Sequence, residues 1–323
     1  MQPIVVTDSG AGGLFVLDKL VRAFPREKFV YFSDVGNMPY GNKSDERIRE
    51  LCGMRVDFAK RKKAKLIVVA CNTMSSVGRE VFENGGVAVD FVLAADGLLK
   101  SLSGADGIDG VNGSGRVGRS SGGNRSWYVG CPSGGNSLGY VGRLIGEDRS
   151  SGNRSSGKID LPAVVFCTAA TEKSGAISRL SKQNGVIVYA ERDLAREIEK
   201  HIFDLLSYKP RLAEGDRESY KTVVLGCTHY ALIRDKFAER FSGAVVIDGT
   251  EELENRVRQA VSVADGDCEN ERKSRGENGA KKQCGDGSGK GDGRKGKVRV
   301  VFFGSGARKM RRAFFALFGR EKL

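Results

Sequence analysis

Short runs of β-branched and aromatic residues alternate along this chain with segments whose apolar positions recur every three to four residues. Residues 4–7 predict a strand, and Leu14, Leu17, Leu20, Val21 and Phe24 then follow at helical spacing until Pro25. Residues 29–32 predict a second strand. Ser44 is placed to cap a helix bearing Ile48, Leu51, Cys52 and Ala59 on one face. Residues 66–70 form a continuously apolar third strand, as buried parallel strands do. The alternation resumes at 87–92, 163–166, 186–189, 222–225, 244–247 and 298–303, with helical patterns at 193–206 and 250–264. Strands alternating with helices imply right-handed βαβ units and mostly parallel sheets. In such sheets ligands bind beyond the carboxyl ends of the strands, which is where chemistry should be sought.

Two stretches break the pattern. Residues 101–158 hold 16 Gly and 12 Ser, and residues 265–297 hold 9 more Gly of the 44 in the chain. Both are too rich in Gly, Ser, Asn and charge to bury a core, so they read as disordered loop inserts. The remainder of the 323 residues is ordinary globular sequence, enough for a sizeable core in one or two domains. No apolar run approaches the ~18 residues a membrane span needs. The start of the sequence has no basic region before its apolar stretch, so it reads as a first strand and not as a signal peptide.

The net charge of +13 invites a nucleic-acid reading, but the basic residues of the inserts are interspersed with acids and carry no interleaved aromatics. The segment 298–323 is basic, with Arg308, Lys309, Arg311 and Arg312, yet Met310, Ala313, Phe314, Leu317 and Phe318 recur at helical spacing. That reads as a docked terminal helix with a basic outer face. Seven scattered cysteines without a C-x-x-C, and only two histidines, make neither a disulfide framework nor a zinc site.

The strand ends carry four similar peptides: Thr7-Asp8-Ser9-Gly10, Ala70-Cys71-Asn72-Thr73, Cys167-Thr168-Ala169-Ala170-Thr171 and Gly226-Cys227-Thr228-His229. Each is a small polar cluster at a strand-to-helix turn, where backbone N–H groups hold carboxylates. Residues 66–73 and 222–229 are near-repeats with a cysteine at the same place. A thiol at a helix N-terminus is expected to have its pKa lowered. Cys52 reads as core, and Cys131, Cys268 and Cys284 as incidental. Val77 and Ile233 stand where a cysteine phosphatase needs Arg, and the Gly10–Phe15 stretch lacks the last glycine of a dinucleotide fingerprint. Two thiols on opposite faces of a small carboxylate ligand suit inversion at a carbon acid, with Asp8 and His229 as partners, and this needs no cofactor.

These residues resemble the glutamate racemase family, within the cofactor-independent aspartate/glutamate racemase superfamily. The motifs that carry the resemblance are Thr7–Leu14, Met38–Ser44, Val69–Thr73 and Leu225–Tyr230. It implies two pseudo-symmetric parallel-sheet α/β domains with the active site at their interface. The expected division is 1–93 with 248–323, and 94–247. The resemblance implies Cys71 and Cys227 as catalytic acid/bases, Cys227 serving L-glutamate and Cys71 serving D-glutamate, with Asp8 beside Cys71 and His229 beside Cys227. Asp8, Ser9, Pro39, Tyr40, Gly41, Asn72, Thr73, Thr168, Thr171, Thr228 and His229 would hold the substrate, with Asp34 and Glu191 as supporting acids. No metal and no cofactor are implied.

Cys167 stands where the family usually has Gly, which places a third thiol near the pocket, and both inserts are foreign to the pattern. The expected partner is a small molecule, glutamate, with no membrane, nucleic acid disfavoured and a homodimer left open. The expected location is the cytoplasm, where D-glutamate would serve peptidoglycan precursors. Aspartate or another amino acid as substrate, and a basic nucleic-acid-interacting protein on a racemase scaffold, remain alternatives.

Overall fold

The computed structural model describes residues 1–94, 160–175, 177, 182, 185–212, 220–250, 253–274 (backbone only from 264) and 299–319. The inserts expected at 101–158 and beyond 274 lie outside the described residues, as do Cys131 and Cys284.

The chain alternates as its pattern predicts. Strand β1 (Ile4–Thr7) leads to α1 (Leu14–Ala23), β2 (Lys28–Asp34), α2 (Asp45–Arg61) and β3 (Leu66–Val69). Helices α3 (Asn72–Val77) and α4 (Arg79–Glu83) precede β4 (Val89–Phe91). A second series runs β5 (Ala163–Cys167), α5 (Ala169–Lys173), β6 (Val186–Ala190), α6 (Leu194–Lys200), β7 (Thr222–Gly226), α7 (Thr228–Ala231), α8 (Arg234–Arg240) and β8 (Val245–Ile247). The chain then forms α9 (Leu253–Ser274), β9 (Arg299–Ser305) and α10 (Ala307–Phe318).

Every described strand pair is parallel. The first sheet has the order β4-β3-β1-β2-β9 and the second β6-β5-β7-β8. Read from the other edge, the second sheet is β8-β7-β5-β6, so both series share one topology and β9 is an addition to the first. The two halves are pseudo-symmetric. Each sheet turns one face to a shared core in which Ile4, Val6 and Tyr31 meet Val164, Phe166, Val223 and Leu225. The opposite faces are covered separately: Val5, Ile67 and Val69 pack under α2, and Val165, Cys167 and Val224 form a third cluster.

Local signals explain the elements. Ser44 caps α2 by accepting from the Arg47 N–H at 3.3 Å, with Asp45 and Glu46 in the first turn and Lys60 and Arg61 in the last, matching the helix dipole. Helix α10 docks through buried Met310, Ala313 and Phe314 while Arg308, Arg311 and Arg312 stay exposed, as a terminal helix with a basic outer face should.

Two boundaries differ. Helix α6 stops at Lys200, short of 206, because His201 turns out to bond Asp204 and stack on Tyr208. Helix α9 runs through 265–274, which the glycine-based reading gives to the second insert. A lone Gly266 costs a helix only ~1 kcal/mol, and the good helix formers Glu269, Glu271, Arg272 and Lys273 carry it past. No described helix is long and apolar enough to cross a membrane.

Candidate active site

In each sheet the chain reverses direction of winding beside its first strand: between β1 and β3 in one, between β5 and β7 in the other. Such switch points open a crevice at the carboxyl ends of the strands. Cys71 follows β3 and Cys227 follows β7, so the near-repeat in sequence becomes an equivalence in space. Both thiols line one narrow cleft together with Ser9, Tyr40, Asn72 and Thr73. Both are free and buried.

On the Cys227 side the thiol lies 4.0 Å from His229 Nδ1. The other ring nitrogen, Nε2, is 3.0 Å from Glu199 Oε2. Burial alone would depress the imidazole, but the contacts with Cys227 and Glu199 raise it to about 10. Burial likewise works against the Glu199 carboxylate, which hydrogen bonds from His229, Lys309 and the Ala11 N–H hold at about 2.

On the other side Cys71 Sγ meets Ser9 Oγ at 3.9 Å. Asp8 is near enough for its charge to act on Cys71, but its hydrogen bonds go elsewhere: Oδ1 accepts from the Gly10 N–H at 2.9 Å and Oδ2 from Thr228 Oγ1 at 3.0 Å. The carboxylate therefore ties the β1 turn to the turn that carries Cys227. Its pKa is raised by burial, against the pull of His229. The expectation of a lowered thiol pKa is overturned at Cys71. Burial, reinforced by the Asp8 charge, pushes that thiol up, and the N–H groups of a six-residue helix do not offset it.

The halves are also joined by hydroxyls. Thr73 of α3 and Thr168, the cap of α5, have their Oγ1 atoms 3.0 Å apart, and Thr171 closes the triangle at 3.2 and 2.9 Å. Asn72 accepts from the Ala94 N–H at 2.9 Å, while its buried Nδ2 has no hydrogen-bond partner. Pro39, Tyr40 and Gly41 form a wall of the cleft. Behind Tyr40, Arg55 of α2 is 1% exposed and bonds the Tyr40 hydroxyl, Asp34 Oδ2 at 3.1 Å and the Leu51 carbonyl. Asp34 also accepts from Tyr40, Asn37 and Ser305; against burial, Tyr40, Arg55 and Ser305 lower its pKa.

Of the residues expected from sequence, Ser9, Pro39, Tyr40, Gly41, Asn72, Thr73, Thr168, Thr228 and His229 line the cleft with the two cysteines. Asp8 and Thr171 stand directly behind that lining. Asp34 is not at the cleft; it supports Tyr40. Half-buried Glu191, raised by burial, lies outside the lining too. Cys167 packs in the apolar cluster on the far face of the second sheet. Cys52 is core, packed against Gly78, its thiol raised to about 12 by burial. Among the described residues no His, Cys, Asp and Glu side chains gather as metal ligands would.

Sequence reasoning missed Glu199, Arg55 and Lys309. A signal existed for the first two: each interrupts the apolar stripe of its helix, Glu199 between Ile198 and Ile202, Arg55 between Cys52 and Val56. A charge on a buried stripe must be paired. Lys309, read as part of a basic outer face, is two-thirds buried and reaches Glu199.

No protein-family model matches the chain. It is 28% identical over 266 residues to glutamate racemase 3 of Caldanaerobacter subterraneus subsp. tengcongensis, covering 80% of this chain and 79% of that protein. Over a 72-residue stretch, 22% of this chain and 27% of the relative, it is 46% identical to glutamate racemase 2 of the same organism. Its fold is similar to that of glutamate racemase from Francisella tularensis in complex with D-glutamate (TM-score 0.61, 20% identity, 100% of this chain and 95% of that one). It is likewise similar to glutamate racemase from Thermus thermophilus in complex with beta-chloro-D-alanine (TM-score 0.59, 23% identity, 100% and 94%).

Proposed function

We propose that this chain, which is similar to curated glutamate racemases over most of its length, interconverts L- and D-glutamate by a two-cysteine proton transfer without a cofactor. The observation that carries the reading is the pair of thiols at equivalent strand ends, facing one small cleft from the two halves of the fold.

In this mechanism one cysteine, as thiolate, removes the α-proton and becomes a thiol; the C–H electron pair stays on the α-carbon. The opposite cysteine, as thiol, delivers its proton to the other face and is left as thiolate. One C–H bond and one S–H bond form as one of each breaks, and the configuration inverts. Cys227 serves the L face and Cys71 the D face. His229 manages the proton of Cys227, and Asp8 acts beside Cys71 while holding the Thr228 turn. The Asn72 amide and the hydroxyls of Ser9, Thr73 and Thr168 supply donors for two carboxylates, while Thr171 holds both threonines from behind and Thr228 gives its hydroxyl hydrogen to Asp8. Preference for glutamate over aspartate rests on one methylene, worth only ~1–3 kcal/mol in a pocket.

The same reading divides the chain into 1–93 with 248–323 and 94–247, locates the protein in the cytoplasm, and assigns its D-glutamate to peptidoglycan precursors. Incubating the pure protein with L-glutamate, without pyridoxal phosphate, should drive the circular dichroism of the amino acid to zero. If neither L-glutamate nor L-aspartate racemises, the reading falls.

The cleft walls meet closely. A Cβ on Gly12 would collide with Thr228 Oγ1 and lie 2.6 Å from the His229 backbone nitrogen. Gly12→Ala should therefore displace the Cys227 turn and lower kcat by about 10²-fold, the scale of an ångström-sized misplacement. Steady-state kinetics with an unchanged far-ultraviolet spectrum would establish this; full activity would show that the two turns are not coupled.

A further inference from the structure

Two surface features play no part in the two-thiol reaction, and the fold brings them together. The first is the outer stripe of α10. Arg308, Arg311, Arg312 and Phe315 recur at helical spacing on the side opposite buried Met310, Ala313 and Phe314. Every ionisable side chain of this helix is basic. Lys309 is committed to Glu199, but Arg308, Arg311 and Arg312 are exposed, and among the described residues no carboxylate pairs with them. Arg311 instead lies over the Phe315 ring, 5.6 Å from its centroid.

The second is the turn after α6. Ile202 and Leu205 are buried, so Phe203 and Leu206, each one position further on, share the outward side of that turn. Phe203 is 50% exposed, and Leu206, at 99%, is the most exposed large apolar side chain among the described residues. The turn is held in shape: His201 bonds Asp204 and stacks on Tyr208, and Lys236 donates to the Leu206 carbonyl at 3.3 Å. A fixed backbone therefore presents Leu206 to solvent. Asp204, the acid of the turn, is occupied by His201, and Lys209 and Arg211 follow it, both exposed. One turn beyond the Lys309–Glu199 contact, Arg312 lies over the Phe203 ring, 5.4 Å from its centroid. Helix α10 and the α6 segment thus run side by side, and their outer sides make one face: three exposed arginines beside two protruding apolar side chains.

Such a face fits an occupant that is anionic and takes up apolar side chains without offering a shaped pocket. A nucleic acid supplies phosphates and stacks on aromatic rings, but it has no place for a leucine, and Arg312 already covers one side of Phe203. A protein partner would bury its anchors in pockets and favours aromatic ones. An anionic bilayer meets both needs: its headgroups attract arginines, and its interfacial zone accepts protruding apolar groups at any lateral position. We infer that this face docks on a bilayer surface rich in anionic phospholipids, with Leu206 and Phe203 entering the boundary between headgroups and acyl chains and Arg308, Arg311 and Arg312 meeting phosphates. The expectation of no membrane rests on the lack of a spanning run, which a surface contact does not need. The inference goes beyond the racemase reading and does not depend on it. Neither apolar side chain lines the cleft, and Ala195, which does, stands at the opposite end of α6, so docking leaves the cleft free.

The test is sedimentation of the full-length protein with vesicles. Vesicles of equal parts phosphatidylglycerol and phosphatidylcholine should bind it, and vesicles of phosphatidylcholine alone should not. Binding should weaken as salt rises past ~0.1 M, where the screening length is about 10 Å. Arg308→Gln/Arg311→Gln/Arg312→Gln should lower the affinity about 10²-fold, roughly fivefold for each charge removed. Phe203→Ser/Leu206→Ser should lower it about tenfold, because the apolar contact is lost while the charges remain. Insertion itself is read by moving the single tryptophan: in Trp127→Phe/Leu206→Trp, anionic vesicles should shift the indole emission to the blue and brominated acyl chains should quench it. An unchanged denaturation midpoint checks that each variant is folded. Equal binding to both vesicle types, full binding by the arginine or the apolar variant, or an indole that stays in water would overturn the inference. So would tighter binding of an oligodeoxythymidylate or of polyaspartate than of the vesicles, unaffected by Phe203→Ser/Leu206→Ser, which would make this a face for a nucleic acid or an acidic polypeptide. Vesicle binding decides the matter whether or not the protein racemises glutamate.

Discussion

Cys71→Ala and Cys227→Ala should each abolish racemisation. Inversion needs a proton removed on one face and another delivered on the opposite face, so a single thiol cannot complete it. The equilibrium constant between mirror-image amino acids is one, so kcat/KM must fall equally in both directions whichever cysteine is lost. Rates of racemisation therefore cannot say which thiol serves which face. Exchange can: in D2O, Cys71→Ala should retain some α-deuterium incorporation into L-glutamate only, and Cys227→Ala into D-glutamate only. That residual exchange should be slow, since a positioned acid or base contributes ~10²–10⁴-fold. Racemisation by either variant at near the unaltered rate would remove that cysteine from the mechanism.

Arg55→Met should cost about 3–5 kcal/mol of stability, the penalty for leaving a buried charge unpaired. Arg55 is 1% exposed and bonds both Asp34 and the Tyr40 hydroxyl, so its loss leaves the Asp34 carboxylate without its cation, held only by neutral donors, and loosens the wall of the cleft. Denaturant unfolding should show a lowered midpoint with the slope retained. The double variant Asp34→Asn/Arg55→Met should recover part of the loss, because no charge is then left without a partner. The pH dependence follows from the sign of the shift. The Asp34 pKa is depressed on folding, so its contribution is present above the ordinary carboxyl value near 4 and is lost as pH falls through the folded value. Arg55→Met should reduce that loss on the acid side. An unaltered midpoint in Arg55→Met would mean the network carries no net stability.

Much of this protein is legible without coordinates, because the signals are local. Strand and helix follow from the period of the apolar positions, and the start of α2 from Ser44 and the acids behind it. The reactive positions follow from one rule, that parallel sheets present ligand sites at their strand ends, applied to four short peptides. The near-repeat around Cys71 and Cys227 carries the pseudo-symmetry in the sequence itself.

What the sequence leaves undecided depends on atoms far apart along the chain. Whether a thiol's pKa falls or rises depends on the balance of helix dipole against burial. At Cys71 burial and Asp8 win, which no reading of Ala70-Cys71-Asn72-Thr73 can weigh. Asp8 reaches Thr228 across the cleft, Glu199 finds Lys309 110 positions away, and Arg55 serves Tyr40 through the fold. Charges on apolar stripes announce that partners must exist. Only the packing of the elements in space decides which they are, because hydrogen bonds act over about 3 Å and chain separation carries no information at that range.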